Sequence, residues 1–141
     1  MNNINSVMKF HHIGIAVKDM ARAKSFYAGL GYKFNRTFLD PLQKVIVALG
    51  THTNAPTIEL VSPGKGTSPI DAYLKKAGHY FYHICYSSSD IVKTLRYLQK
   101  QGHFICIVKP NVAVALGNKK VSFYFSETTG LIEILEEHSN K

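Results

Sequence analysis

Cysteine is scarce in this 141-residue chain, acidic residues are outnumbered, and no long apolar run occurs anywhere in it. The last of these, with no charged-then-apolar leader, points away from a membrane span and a secretory signal, so a cytoplasmic protein with no membrane partner is expected. The two cysteines, Cys85 and Cys106, both fall inside strand-like segments. Buried reduced thiols are expected there rather than a disulfide. Nine acidic residues face 17 Lys and Arg, a formal charge of +8. The basic residues are never more than two in a row (Lys75-Lys76, Lys119-Lys120), form no basic helix face and do not interleave with aromatics. No nucleic-acid partner is therefore expected. The surplus reads as a soluble basic surface, or as an attraction for a small anionic metabolite.

What is present is a repeat. Phe10-His11-His12-Ile13-Gly14-Ile15-Ala16-Val17 has a shadow in Phe81-Tyr82-His83-Ile84-Cys85-Tyr86. Adding 71 to 12, 19 and 31 carries His12 to His83, Asp19 to Asp90 and Gly31 to Gly102. Three landmarks at one spacing imply a duplication. With 45% hydrophobic residues the chain can build a real core, and one domain over 1–141 is expected. It divides into a first module at 9–62, a connector with a short helix at 63–78, and a second module at 79–137.

Residues 10–17 alternate as a strand does, with Ile13, Ile15 and Val17 on one side. Asp19 suits the N-cap of a helix from Met20 to about Leu30, with Met20, Ala23, Phe26, Tyr27 and Leu30 as its apolar stripe and Gly29 and Gly31 ending it. Strands follow at about 32–38, 44–49 and 56–62. In the connector, Ser68 caps a short helix with Pro69 first and Asp71 third, closed by Gly78. The second copy repeats the order: a strand from about Tyr80 to Ser87, then a helix from Asp90 to about Gln101 with Ile91, Val92, Leu95 and Leu98 on one face. Strands near 103–108, 119–126 and 130–136 complete it. The apolar segment 110–117 sits beside turn formers and reads as either a mobile cover over a site or a buried loop. The pattern predicts an α+β fold in which two tandem βαβββ modules form a curved mixed β-sheet, with helices on the outer face and a cleft on the other.

Strand parity then selects the polar residues of that cleft, because successive side chains point to opposite faces. If Ile13 faces the helix, His12 faces the cleft. By the same argument Ile58 and Leu60 turn Glu59 there, Ile84 and Tyr86 turn His83, and Ile132 and Ile134 turn Glu133. Glu59 and Glu133 stand 74 apart, an offset that implies an insertion of about three residues in the second copy. Two imidazoles and two carboxylates suit one divalent ion, with Ni²⁺, Co²⁺ or Zn²⁺ favoured and Mn²⁺ or Fe²⁺ compatible. Two carboxylates neutralise its charge, and four protein donors leave octahedral positions open for substrate, as a catalytic site requires. The remaining histidines have the wrong parity (His11), lie in a turn (His52), flank strands (His79, His103) or sit in the tail (His138). Cys85 shares the parity of His83 and reads as a small core thiol.

These features resemble the vicinal-oxygen-chelate superfamily. The resemblance is carried by the His-Ile-Gly-Ile-Ala-Val-Lys-Asp opening, the Ile-Glu-Leu strand, Ser-Pro-Ile in the connector, Tyr-His-Ile-Cys-Tyr, and the closing Gly-Leu-Ile-Glu-Ile-Leu-Glu, and it runs over about residues 9–137. Within that group the chain is similar to the branch of bacterial glyoxalase I (lactoylglutathione lyase) and methylmalonyl-CoA epimerase. The resemblance places the metal positions on His12, Glu59, His83 and Glu133. It implies proton abstraction beside a metal-chelated carbonyl or hydroxyl, with Glu133 as the catalytic base and Glu59 able to serve from the opposite side. The leading expectation is a glyoxalase I-like lyase or isomerase acting on the glutathione hemithioacetal of methylglyoxal or a similar thiol adduct. Methylmalonyl-CoA epimerase is the alternative, and the chain lacks a clearly aligned Glu in the Phe38–Lys44 region, where Asp40 is the nearest acid. A bleomycin- or fosfomycin-resistance type of binding protein and an extradiol dioxygenase rank below. Lys119 and Lys120 could meet a glutathione carboxylate or a CoA phosphate, or could be solvated lysines entering a strand. By analogy the chain is expected to form a homodimer.

Overall fold

The computed structural model describes residues 3–77 and 79–138, and among them it contains nine strands and three α-helices. The strands are β1 (Met8–Val17), β2 (Lys33–Phe34), β3 (Phe38–Asp40), β4 (Val45–Thr51), β5 (Ile58–Pro63), β6 (His79–Ser88), β7 (Ile105–Ala113), β8 (Lys119–Ser126) and β9 (Gly130–Glu136). The helices are α1 (Met20–Gly29), α2 (Asp71–Ala77) and α3 (Ile91–Lys100). Parallel and antiparallel pairs occur together, so the sheet is mixed and the fold is α+β, as the alternating pattern predicts. The chain divides into two compact units, one from His12 to Tyr82 and the other of the residues up to His11 together with those from His83 onward.

In the unit from His12 to Tyr82, β1 runs parallel to β5, which pairs antiparallel with β4. The Asp19 side chain accepts the Arg22 backbone N–H at 3.0 Å and so starts α1. Gly31 ends it in the left-handed region at φ +99°. A Cβ there would come within 2.8 Å of the His52 ring, so the position excludes side chains on two counts. Met20, Ala23 and Tyr27 of α1 pack on Ile13, Ile15, Val17, Ile58 and Leu60, the helix-side residues that parity selects. Phe26 and Leu30, expected in the same stripe, are exposed instead. A ten-residue helix lying on a sheet buries only a narrow line, and the Phe26 ring leans edge-on against Tyr27 at 5.1 Å. The expected strand at 32–38 is broken into β2 and β3, both paired to β4. The polar run Asn35-Arg36-Thr37 interrupts the ladder between them, with the Arg36 guanidinium 4.7 Å from the centre of the Phe38 ring. In the connector, the Asp71 carboxylate accepts both the hydroxyl and the backbone N–H of Ser68, while the Asp71 N–H goes to the Ser68 carbonyl. The expected Ser68 side-chain cap is thus replaced by a carboxylate clamp, and α2 begins at Asp71 rather than at Pro69. The two bonds accepted from Ser68 hold the Asp71 carboxyl below its ordinary value. Their contribution to stability is therefore present at neutral pH and is lost as the pH falls through that lowered value. Gly78, expected to close this helix, lies outside the described residues.

In the other unit, β6 runs parallel to β9, and β9, β8 and β7 follow as antiparallel neighbours. Asp90 caps α3 through the Lys93 N–H at 3.0 Å, as Asp19 caps α1. Ile91, Leu95 and Leu98 pack on Tyr86, Ile132 and Ile134, while Val92, expected on that face, is exposed. Its place is taken by Thr94, whose hydroxyl meets that of Ser88 at 2.8 Å in the interior. β7 begins two residues later than expected because Gly102 and His103 both adopt positive φ, +81° and +49°. It then continues through Ala113, so residues 110–113 are neither a mobile cover nor a buried loop but a strand paired to β8. The register slips twice, between Cys106 and Val108 and between Val108 and Asn111, and the second slip spans Pro110, which has no N–H to give to the ladder. Cys106, expected to be buried, is exposed on this strand, whereas Cys85 is buried. No disulfide joins the two.

Replacing Leu98 with alanine is expected to cost about 2–5 kcal/mol in urea unfolding, because Leu98 lies in the α3 core. Val92→Ala on the exposed side of the same helix should change stability by less than about 0.5 kcal/mol.

Candidate functional site

Two buried His–Glu pairs stand out, one in each unit. His12 and Glu59 are 0% and 6% exposed, His83 and Glu133 5% and 3%. In the unit from His12 to Tyr82, Gly14 of β1 lies opposite Glu59 of β5, which puts His12 and Glu59 on the same face. The His12 Nε2 is 3.8 Å from a Glu59 carboxylate oxygen. In the other unit, Cys85 of β6 lies opposite Glu133 of β9, and the His83 Nε2 is 3.5 Å from a Glu133 oxygen. The two registers correspond residue for residue. Position 14 moves to 85 with the offset of 71, and position 59 moves to 133 with the offset of 74.

Both separations exceed an ordinary hydrogen bond. They lie near the roughly 3.4 Å that separates two donors held about 2.1 Å from one ion at a tetrahedral angle. Burial supplies a second argument. A carboxylate this far from water costs several kcal/mol unless a positive charge meets it, and a divalent ion does so without consuming a proton. The donor set of imidazole nitrogen and carboxylate oxygen thus fits a first-row divalent metal, and each of the four residues can offer one ligand atom.

The surroundings of the pairs differ more than the pairs do. Phe123, opposite Glu133 on β8, packs its ring edge-on against His83 with the centroids 5.2 Å apart. The residue opposite Glu59 on β4 is Leu49, so the corresponding position in the first copy is aliphatic. Phe123 escapes a reading from the sequence because only the β8–β9 register reveals what it faces. The alternation of residues 119–126 would have given its parity. Cys85 has the small buried position expected of it, where the first copy has Gly14. Tyr124 lies on the helix-side core, and burial pushes its phenol above the ordinary value, so it is no acid at neutral pH. Lys119 and Lys120 are exposed at the start of β8, opposite Ala113 and Val112. Asp40 is occupied: its carboxylate accepts the N–H groups of Leu42 and Gln43 at 2.9 and 3.0 Å and is 3.4 Å from the Gln43 amide nitrogen. No described helix is long and apolar enough to cross a membrane.

A profile of the Glyoxalase/Bleomycin resistance protein/Dioxygenase superfamily matches residues 11–125, a stretch that holds His12, Glu59 and His83 and stops short of Glu133. The chain is similar to YqjC of Bacillus subtilis (strain 168), with 30% identity over 131 residues that cover 91% of each protein. Among solved structures it is similar to methylmalonyl-CoA epimerase from Mycobacterium tuberculosis, with a TM-score of 0.78, 25% identity, and 93% of this chain and 89% of that one covered. It is similar also to a hypothetical protein from Bacillus halodurans, with a TM-score of 0.79, 27% identity, and 95% and 97% covered.

Removal of the His83 imidazole by His83→Ala is expected to weaken Zn²⁺ binding by at least about 100-fold, since even changes behind a ligand cost 10–100-fold. Titration calorimetry on the apoprotein measures it. Lys120→Ala, at an exposed charge, should stay within about twofold of the wild type. An unchanged affinity in His83→Ala would remove His83 from the ligand set.

Proposed function

Because the chain belongs to the Glyoxalase/Bleomycin resistance protein/Dioxygenase superfamily, we propose that it is a metal-dependent lyase or isomerase of the glyoxalase I type, with His12, Glu59, His83 and Glu133 as the ligands of one divalent ion. The observation that carries this reading is the repetition of a buried His–Glu pair at the same strand register in both copies. A structural role for one such pair is ordinary. Two copies of the same buried pair at one strand register are better explained by a shared need for a cation.

A bound divalent ion supplies Lewis acidity, which makes a C–H beside a chelated carbonyl or hydroxyl easier to ionise. The residues do the rest. A Glu133 carboxylate oxygen takes the proton from the carbon bearing the hydroxyl and returns it to the neighbouring carbon, which converts a hemithioacetal into a thioester of a hydroxy acid with no net gain or loss of atoms. Phe123 braces the His83 ring beside Glu133. The exposed Lys119 and Lys120 attract the anionic tail of a thiol adduct such as a glutathione conjugate.

The similarity to the Mycobacterium tuberculosis epimerase favours methylmalonyl-CoA epimerase as a second reading. Epimerisation needs a proton delivered to the opposite face of the same carbon, so it calls for a second acid and base. Asp40 is the one carboxylate on β3 and β4, and its oxygens are tied into the turn that follows β3. Glu59 would have to take that part. The shuttle between adjacent carbons needs a single base, and it therefore asks less of this chain.

Loaded with Ni²⁺ or Zn²⁺, the protein is expected to turn over the methylglyoxal–glutathione hemithioacetal, read as thioester absorbance. Glu133→Gln should lower kcat by about 10²–10⁴-fold while metal stays bound. Absence of thioester, combined with metal-dependent deuterium exchange at C2 of methylmalonyl-CoA, would replace the first reading with the second. Full turnover in Glu133→Gln would move the base elsewhere.

A further inference from the structure

A cavity lies within the unit that begins again at His83, on the helix side of β6 and β9, away from the face of His83 and Glu133. Its volume is about 860 Å³, inside the range of about 300–1,000 Å³ usual for small-molecule sites. The walls come from separate parts of the chain: the turn before β1, strand β6, the C-terminal end of α3, the loop carrying Gly102 and His103, and the turn between β8 and β9. None of these residues belongs to the two His–Glu pairs.

The chemistry of the lining is distinctive for a chain with a net charge of +8. No Lys or Arg is among the described residues that line it, and its one acidic group is Glu127. Four aromatic side chains, Tyr86, Tyr97, Phe104 and Phe125, contribute to the wall. Aromatic faces carry partial negative charge and attract cations within about 6 Å of the ring centre. The last turn of α3 supplies a third source of the same sign, since Tyr97, Leu98 and Gln101 line the cavity and a helix C-terminus favours positive charge. Beside Glu127 and the two tyrosines, His103 is the remaining ionisable side chain in the wall.

We propose that this cavity is a binding site for a small organic cation, an aryl- or alkylammonium whose apolar body sits among the aromatic side chains and whose charge meets Glu127 and the end of α3. The site is independent of the metal reading. An anion drawn to the protein by its overall charge would find no positive Lys or Arg side chain here. A neutral aromatic compound would gain the apolar contact and forgo the electrostatic part. Selectivity for cations is thus the signature that separates a built site from a generic apolar hollow.

The chain contains no tryptophan, so the fluorescence anisotropy of an indole probe can be read without background. At pH 8 and low ionic strength, tryptamine is expected to bind saturably with a dissociation constant below about 1 mM. Indole-3-acetate should bind at least about tenfold more weakly, opposite to the order that net charge alone dictates. Glu127→Gln, at an exposed turn position, should weaken tryptamine severalfold and leave uncharged indole within about twofold. Tyr97→Ala should weaken both. Equal or tighter binding of indole-3-acetate, no saturable binding of tryptamine, or tryptamine affinity indifferent to Glu127→Gln would each overturn the proposal.

Discussion

Everything about the candidate site hangs on the register of two parallel strand pairs. In a sheet the side-chain period is two, so a slip of one residue between β1 and β5 would carry Glu59 to the helix side and bring Ile58 or Leu60 in its place. That slip is opposed by the packing of Ile13, Ile15, Val17, Ile58 and Leu60 beneath α1. Exposing any one of those side chains would forfeit roughly 1.5–3 kcal/mol. The same holds for β6 and β9, where Ile132 and Ile134 anchor the register under Leu98. The hydrophobic core thus does more than hold the units together. By fixing which face each strand presents, it holds an imidazole and a carboxylate at a set separation, although neither group contributes to that core.

The duplicated plan has been kept where geometry demands it and altered where it does not. Asp19 and Asp90 cap corresponding helices, and Gly31 and Gly102 end them at positive φ. Between these fixed points the neighbours differ: Gly14 against Cys85, Ala16 against Ser87, Leu49 against Phe123. The second copy is bulkier and more polar around its histidine. The same donors thus stand among unlike neighbours in the two copies.

Much of this was legible in the residues. Strand parity set the histidines and glutamates apart from Ile13, Ile15, Val17, Ile58, Leu60, Ile132 and Ile134, which pack under the helices, although Ile84, expected with them, is exposed. The offset of 71 made a pattern in one copy test the other. The pairing of Ser68 with Asp71 could be read from those two residues alone, though not that the carboxylate would take both bonds. The helix faces were read less well, since periodicity marks which residues share a side and not how wide a strip the sheet covers; Phe26, Leu30 and Val92 lie just outside that strip. The path from His103 to Ala113 was misread for a different reason. Two consecutive residues at positive φ and a proline inside a paired strand are tertiary outcomes that local preference argues against. Phe123 depended on a pairing between strands, which no single segment encodes.

Strand β7 carries a consequence of its own. It pairs with β8 and carries Ile105, Ile107 and Val112 exposed to solvent, the makings of a surface on which further chains could assemble by adding strands. Pro110 and the register shifts at 106–108 and 108–111 break the regular spacing of donors and acceptors along that edge, and Lys109 sets a charge at the second break. A straight incoming strand finds no continuous partner there. The irregularity that hid β7 from a sequence reading is therefore also what blunts its apolar outer face as a template for strand addition.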